Sequence, residues 1–257
     1  MSKDDSKPTS QVSNKKRQMN FWQHLEELRV RLRRAVIGVV IGTVIGAIFT
    51  NQMLEILLLP MGDVVPVALH PTESFVVYFR VALLGGVVVA MPYILFQILA
   101  FLVPGLTRGE RSALFLSLLA ISLFFALGVG FSGLVMVPLA VKYLSGFLSD
   151  VVQPTYSIDS YISFVTTLMF STGLVFETPL LMALIARIGL ITSKQLAQGR
   201  RYALLIIAVL AAVITPTPDA FNMMIVMAPL LVLYEVGIVL AWFSGRARAK
   251  ALMAATD

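Results

Sequence analysis

The sequence predicts an all-α integral membrane protein with six transmembrane helices. Three observations lead there. Of its 257 residues, 58% are hydrophobic and only 13% are charged, whereas about a quarter of a soluble domain is charged. Mean hydropathy is +0.87. Several apolar runs reach the roughly 20 residues that a helix needs to cross a bilayer, and they lack the strict alternation of a membrane barrel strand. A soluble globular domain is thereby excluded. The chain has no cysteine, which removes disulfides, thiol catalysis and cysteine metal sites. No metal or other cofactor is expected.

The elements follow in order. Met1–Asn20 is polar and basic and reads as a disordered cytoplasmic tail. Its Lys15, Lys16 and Arg17 orient the chain rather than bind lipid. It lacks the short apolar core and cleavage site of a signal peptide. From Phe21 onward, Phe21, Leu25, Leu28 and Leu32 form one helical stripe, opposed by Glu26, Glu27, Arg29, Arg31 and Arg33. That pattern is an interfacial amphipathic helix leading into span one, about Ala35–Phe49. Gly38, Gly42 and Gly46 share a face of this span and let another helix approach closely, within the bundle rather than at a partner interface.

Span two covers about Ser74–Leu95 and span three about Ser112–Val137. Span four is about Tyr161–Ile185, span five about Tyr202–Ile214, and span six about Phe221–Phe243. Residues 21–243 thus form one six-span domain, and 244–257 a second cytoplasmic tail. Pro92, Pro138, Pro179 and Pro229 punctuate the spans, and each is expected to kink its helix. Span five is short. Only 14 residues separate Arg201 from Pro216, about 21 Å of helix against a hydrocarbon core of roughly 30 Å. Snorkelling arginines and a locally thinned bilayer would absorb that mismatch.

All Lys and Arg residues except Lys142 and Arg80 fall on one side of these spans, while Asp63, Glu73, Asp150, Asp159 and Asp219 fall on the other. The positive-inside rule then puts both termini in the cytoplasm.

Two features invite a chemical reading. Glu177 lies inside the apolar stretch Phe164–Ile185, where a carboxylate costs roughly 2.5–3.5 kcal/mol to insert. Either it is protonated and hydrogen-bonded within the bundle, or it faces a partner; the working face is the preferred reading. Gly130-Phe131-Ser132-Gly133 matches the signature of intramembrane serine proteases, but such a serine needs a base. The only histidines, His24 and His70, lie outside the spans, so the match is taken as chance. A secondary transporter with Glu177 as its proton site is the competing class, but no internal repeat of the kind such folds carry is found.

The two cytoplasmic segments together resemble the TatC family, the multispanning subunit of the twin-arginine protein translocase. His24, Leu25, Glu27, Leu28, Arg29, Arg31 and Leu32 meet the family's opening signature. Phe101, Pro104, Leu106, Glu110 and Arg111 meet its first cytoplasmic loop pattern. Phe176, Glu177 and Pro179 meet a fourth-span Phe-Glu-x-Pro, and Thr215-Pro216-Thr217-Pro218-Asp219 meets the turn before the last span.

The resemblance implies a concave bundle with short fifth and sixth spans. It implies a receptor for twin-arginine signal peptides of folded cargo, working with the single-span proteins TatB and TatA in an oligomeric complex and driven by the proton-motive force. It places the arginine pair at Glu27 and Glu110. Leu25, Leu28, Arg29, Phe101, Pro104, Leu106 and Arg111 would surround the pair, and Leu25, Leu28, Phe101 and Leu106 would hold the apolar residues that follow it. It sets Glu177 and Pro179 against a partner's span, and Pro216 and Asp219 in a periplasmic turn. A bacterial inner membrane is expected over a thylakoid, for want of a Ser- and Arg-rich transit peptide.

Overall fold

The computed structural model describes residues 21–62, 64–102, 108–146, 155–215 and 219–253, and these fold as α-helices with short connections. The first, α1, runs unbroken from Phe21 to Ile48, so the amphipathic segment and span one are a single helix. At Phe49 the chain turns by 72° into α2, Thr50–Leu58. A buried helix end leaves carbonyls that need partners within the protein. Here the Tyr78 hydroxyl donates to the Ala47 carbonyl at 2.7 Å, and the Thr50 hydroxyl donates to Gly46 at 3.1 Å.

Next, α3 spans Glu73–Leu102 and packs along α1. The two backbones nearly touch. A Cβ on Gly46 would sit 2.5 Å from the Ala82 carbonyl, and one on Gly86 would collide with the backbone of Thr43. The glycine stripe therefore serves packing within the bundle, as expected.

The third segment begins as α4, Arg108–Phe131. A π-helical turn at Ser132–Met136 joins it to α5, Val137–Gly146. The wide turn makes room for Pro138, whose ring would clash with the carbonyl four residues back in a regular helix. Span three therefore continues past its expected end at Val137 to Gly146.

The fourth segment is split. Its halves, α6 (Ile158–Phe176) and α7 (Thr178–Ile188), meet at Glu177, with Pro179 in the first turn of α7. Pro92 and Pro229, by contrast, stay inside unbroken helices. Gly189 ends α7 at φ 80, a left-handed conformation that only glycine adopts freely. A short α8 (Ser193–Gln198) and α9 (Arg200–Ile214) follow.

The last helix, α10, runs from Ala220 to Met253. Its 34 residues correct the expectation of a short sixth span. Pro229 does not break it, and the Ala, Arg and Lys residues beyond Phe243 are good helix formers. By contrast α9, with 15 residues, is as short as expected.

Among the described residues, four helical stretches are long and apolar enough to cross a membrane: Glu73–Ile98, Leu118–Gly146, Ile158–Ile188 and Ala220–Ala247. The bent pair of α1 and α2 makes a fifth if it counts as one span. A count of six would require α9 as well, which falls short of the usual crossing length.

Where α3 and α6 begin, their connections are knitted together. Val67 and Ser157 form an isolated parallel bridge. The buried Glu73 carboxylate accepts from the Leu69 N–H at 3.1 Å and the Ser157 hydroxyl at 3.2 Å. Arg80 pairs with Asp159 at 2.7 Å, and the Tyr161 hydroxyl donates to the Leu57 carbonyl at 2.7 Å. Beneath this cap lies the core of Val77, Val81, Ile121, Phe125, Ile162, Val165 and Leu168.

Gly86→Val should force α1 and α3 apart and cost about 1–3 kcal/mol as overpacking. Thermal unfolding in detergent checks this, with Gly130→Ala as a control that should not lower the midpoint, since a Cβ there meets nothing within 4 Å and alanine favours the helix. Tyr161→Phe should lower the same midpoint, because it strands a buried carbonyl at a cost of about 1–3 kcal/mol.

Candidate functional site

The segment Phe21–Arg34 is helical, so residues three and four apart share a face. Two ion pairs result, and they differ in setting. Glu26 and Arg29 lie 3.9 Å apart on the exposed side. Glu27 is sheltered, its side chain 18% exposed beside an Arg31 that is 21% exposed. The Arg31 Nε donates to Glu27 Oε1 at 2.9 Å, and a terminal guanidinium nitrogen donates to the same oxygen. Glu27 Oε2 is buried and accepts nothing among the described residues. An open acceptor on a sheltered carboxylate is suited to a charge-assisted donor.

On the neighbouring faces of the helix, Leu25 and Leu28 are 40% and 42% exposed. The His24 ring stacks on Phe101 at the end of α3, centroids 4.2 Å apart and planes 20° from parallel. The structure thus brings the N-terminal segment to the start of the first loop, at Phe101. His24 is a contact that the sequence offered only as one letter of a signature. Glu110 and Arg111 fall in the first turn of α4, and their side chains lie outside the described residues. So do Pro104, Leu106 and Pro216.

The second polar feature is Glu177. Phe176 fills a notch at Gly128, where a Cβ would sit 2.7 Å from its ring, and it packs on Phe131 with centroids 5.6 Å apart. On the other side α10 presses on α7 through Gly237, whose Cβ would lie 3.2 Å from the Pro179 Cα. The Glu177 backbone is satisfied: its carbonyl accepts from the Leu180 and Leu181 N–H groups at 3.1 and 3.0 Å. The side chain is different. It is 6% exposed, and Oε1 finds no partner among the described residues. The expected choice was between an internal hydrogen bond and an open face. The structure shows a carboxyl that is enclosed, with an oxygen still unmet.

Two further acids have structural partners. Asp219 caps α10, accepting from the Asn222 N–H at 2.7 Å. Glu235 holds Arg200 in a two-point pair, both contacts 2.7 Å. Sequence reading missed this pair, although its signal was present. Arg200 opens α9 and Glu235 lies within α10, at nearly equal sequence distances on either side of residue 217, as partners in consecutive antiparallel helices must be. Ser132 sits buried in the π turn, its hydroxyl without a partner among the described residues, while His24 stacks on Phe101. Among the described residues, no hydrogen bond joins Ser132 to either histidine.

With this geometry in view, known proteins provide a frame. A family model described as the Sec-independent protein translocase protein TatC matches residues 23–229. The chain is 38% identical over 221 residues to the Sec-independent protein translocase protein TatC of Synechocystis sp., covering 86% of this chain and 87% of that one. It is 36% identical over 242 residues to the chloroplastic counterpart of Pisum sativum, covering 93% and 68%. A crystal structure of the twin-arginine translocase receptor TatC superposes with a TM-score of 0.76 at 36% identity, over 86% of this chain and 99% of that one. A second, in DDM, gives 0.78 at 37% identity, over 85% and 99%. Matched along most of its length in both sequence and fold, the chain belongs to the TatC family of Sec-independent protein translocase proteins and is a transport subunit rather than an enzyme.

Proposed function

We propose that the chain is the receptor of a twin-arginine translocase, reading the arginine pair of signal peptides on folded cargo with Glu27 and Glu110. The observation that carries this reading is the sheltered Glu27 carboxylate with its open Oε2. Guanidinium donors are planar and forked, and each charge-assisted hydrogen bond contributes about 1.5–3 kcal/mol. Glu110 is in the first turn of α4, where a negative charge is favoured by the helix dipole. Leu25, Leu28, Phe101 and Leu106 are proposed to hold the apolar residues after the pair, with Arg29, Pro104 and Arg111 framing the site. The partly exposed leucines and the half-buried Phe101 support that role.

In this reading both termini are cytoplasmic, the membrane is a bacterial inner membrane, and α9 is the sixth crossing. Single-span TatB- and TatA-type proteins assemble on the bundle in an oligomeric complex, and the proton-motive force drives passage. Glu177, beside Pro179, meets a polar residue of such a partner; its enclosed, unmet oxygen supports this. The exposed apolar face of α9, with Leu205, Val209 and Val213, supports a second contact there. Pro216 and Asp219 shape the turn on the periplasmic side.

Glu27→Gln should weaken binding of a fluorescent twin-arginine peptide to the protein in nanodiscs by about tenfold or more, the equivalent of one lost charge-assisted bond. Unchanged affinity would remove Glu27 from the site. Glu177→Gln should leave peptide affinity unchanged and reduce co-purification of a TatB-type partner. A drop in peptide affinity would move Glu177 into the signal site instead.

A further inference from the structure

The carboxylate assigned to the signal peptide already holds a guanidinium. Arg31 directs two donors, Nε at 2.9 Å and a terminal nitrogen, onto Glu27 Oε1. Oε2 is left unpaired, buried and without a partner among the described residues. The pair is sheltered, so solvent and salt screen it less than the exposed Glu26–Arg29 pair one face away. A cation that reaches Oε2 therefore enters beside a second, fixed cation, with one carboxylate between them.

We propose that Arg31 is a specificity-determining residue, which makes the Glu27 position accept arginine and reject lysine. This rests on the receptor reading above. The physical reason is the difference between the two cations. A guanidinium is planar, delocalised and weakly hydrated; it can lie flat beside another guanidinium while donating in its own plane to Oε2. An ammonium is a compact, strongly hydrated point charge with three donors. Oε2 cannot accept from all three, and those left over lose water while facing Arg31.

Without Arg31, Glu27 would be a bare carboxylate offering both oxygens, and a bare carboxylate attracts either cation by charge. The filter is thus a cost placed on the wrong ligand rather than an added contact for the right one. The helix fixes its geometry, because an acid four residues before a base is the favourable order for an intrahelical pair.

The test uses the full chain in nanodiscs and two signal peptides that differ only in an arginine or a lysine pair. Wild-type protein should prefer the arginine peptide. Arg31→Gln should bind the arginine peptide at least as tightly as wild type, since both Glu27 oxygens become available, and should tighten lysine-peptide binding by more. The preference should shrink by about tenfold, as expected when a like-charge juxtaposition is relieved. Arg31→Lys keeps the charge, so it should still reject the lysine peptide. The inference is overturned if Arg31→Gln binds the lysine peptide as weakly as wild type does. It is overturned equally if that variant loses both peptides, since Arg31 would then merely support Glu27. A wild-type protein that binds the two peptides alike, or neither, would instead sink the receptor reading on which the inference stands.

Discussion

Contact between the backbones of α1 and α3 at Gly42, Gly46 and Gly86 sets the geometry of the proposed signal site. No side chain separates the two helices there, so their axes are fixed at short range. From Gly42 back to His24 is about 27 Å of helix, and from Gly86 on to Phe101 about 22 Å. The two ends arrive together, and the rings of His24 and Phe101 stack. Glu27 lies one turn further along α1. A larger residue at the crossing would be felt at Glu27 even though it touches nothing there.

The membrane adds a second constraint. Hydrocarbon offers no hydrogen bonds, so buried polar groups must find partners within the protein. Most do. Tyr78 and Tyr161 satisfy carbonyls at the bend and in α2, Glu73 collects two donors, and Arg80 joins α3 to α6. The unmet oxygen of Glu177 is one of a few exceptions, which also include Glu27, Gln97 and Ser132. It lies at the break between α6 and α7, pinned by Phe176 on one side and by the approach of α10 at Gly237 on the other.

Much of this was legible in the sequence, because the signals were local. The stripe from Phe21 to Leu32 is helical, the glycines of span one face another helix, and α9 is short. Other features depend on tertiary contacts and left no local trace. The 72° bend at Phe49 has no proline or glycine at its apex; it is sealed from outside by Tyr78. The π turn reflects Pro138 in a helix that nonetheless continues, and α10 outran its expected end because nothing after Phe243 breaks it. At the candidate site the sequence named Glu27 and Phe101 through a family signature. It did not disclose that Arg31 occupies one oxygen of Glu27, although the four-residue spacing pointed to it.

The face built by the start of α1 and the end of α3 is proposed to read an arginine pair. Photocrosslinking tests it most directly, with a photoreactive group placed beside the pair in a signal peptide and a twin-lysine peptide as control. Arginine-dependent crosslinks are expected to the segment around Leu25–Leu28 and to the residues following Phe101. Equal labelling by both peptides, or arginine-dependent labelling confined to other helices, would contradict it.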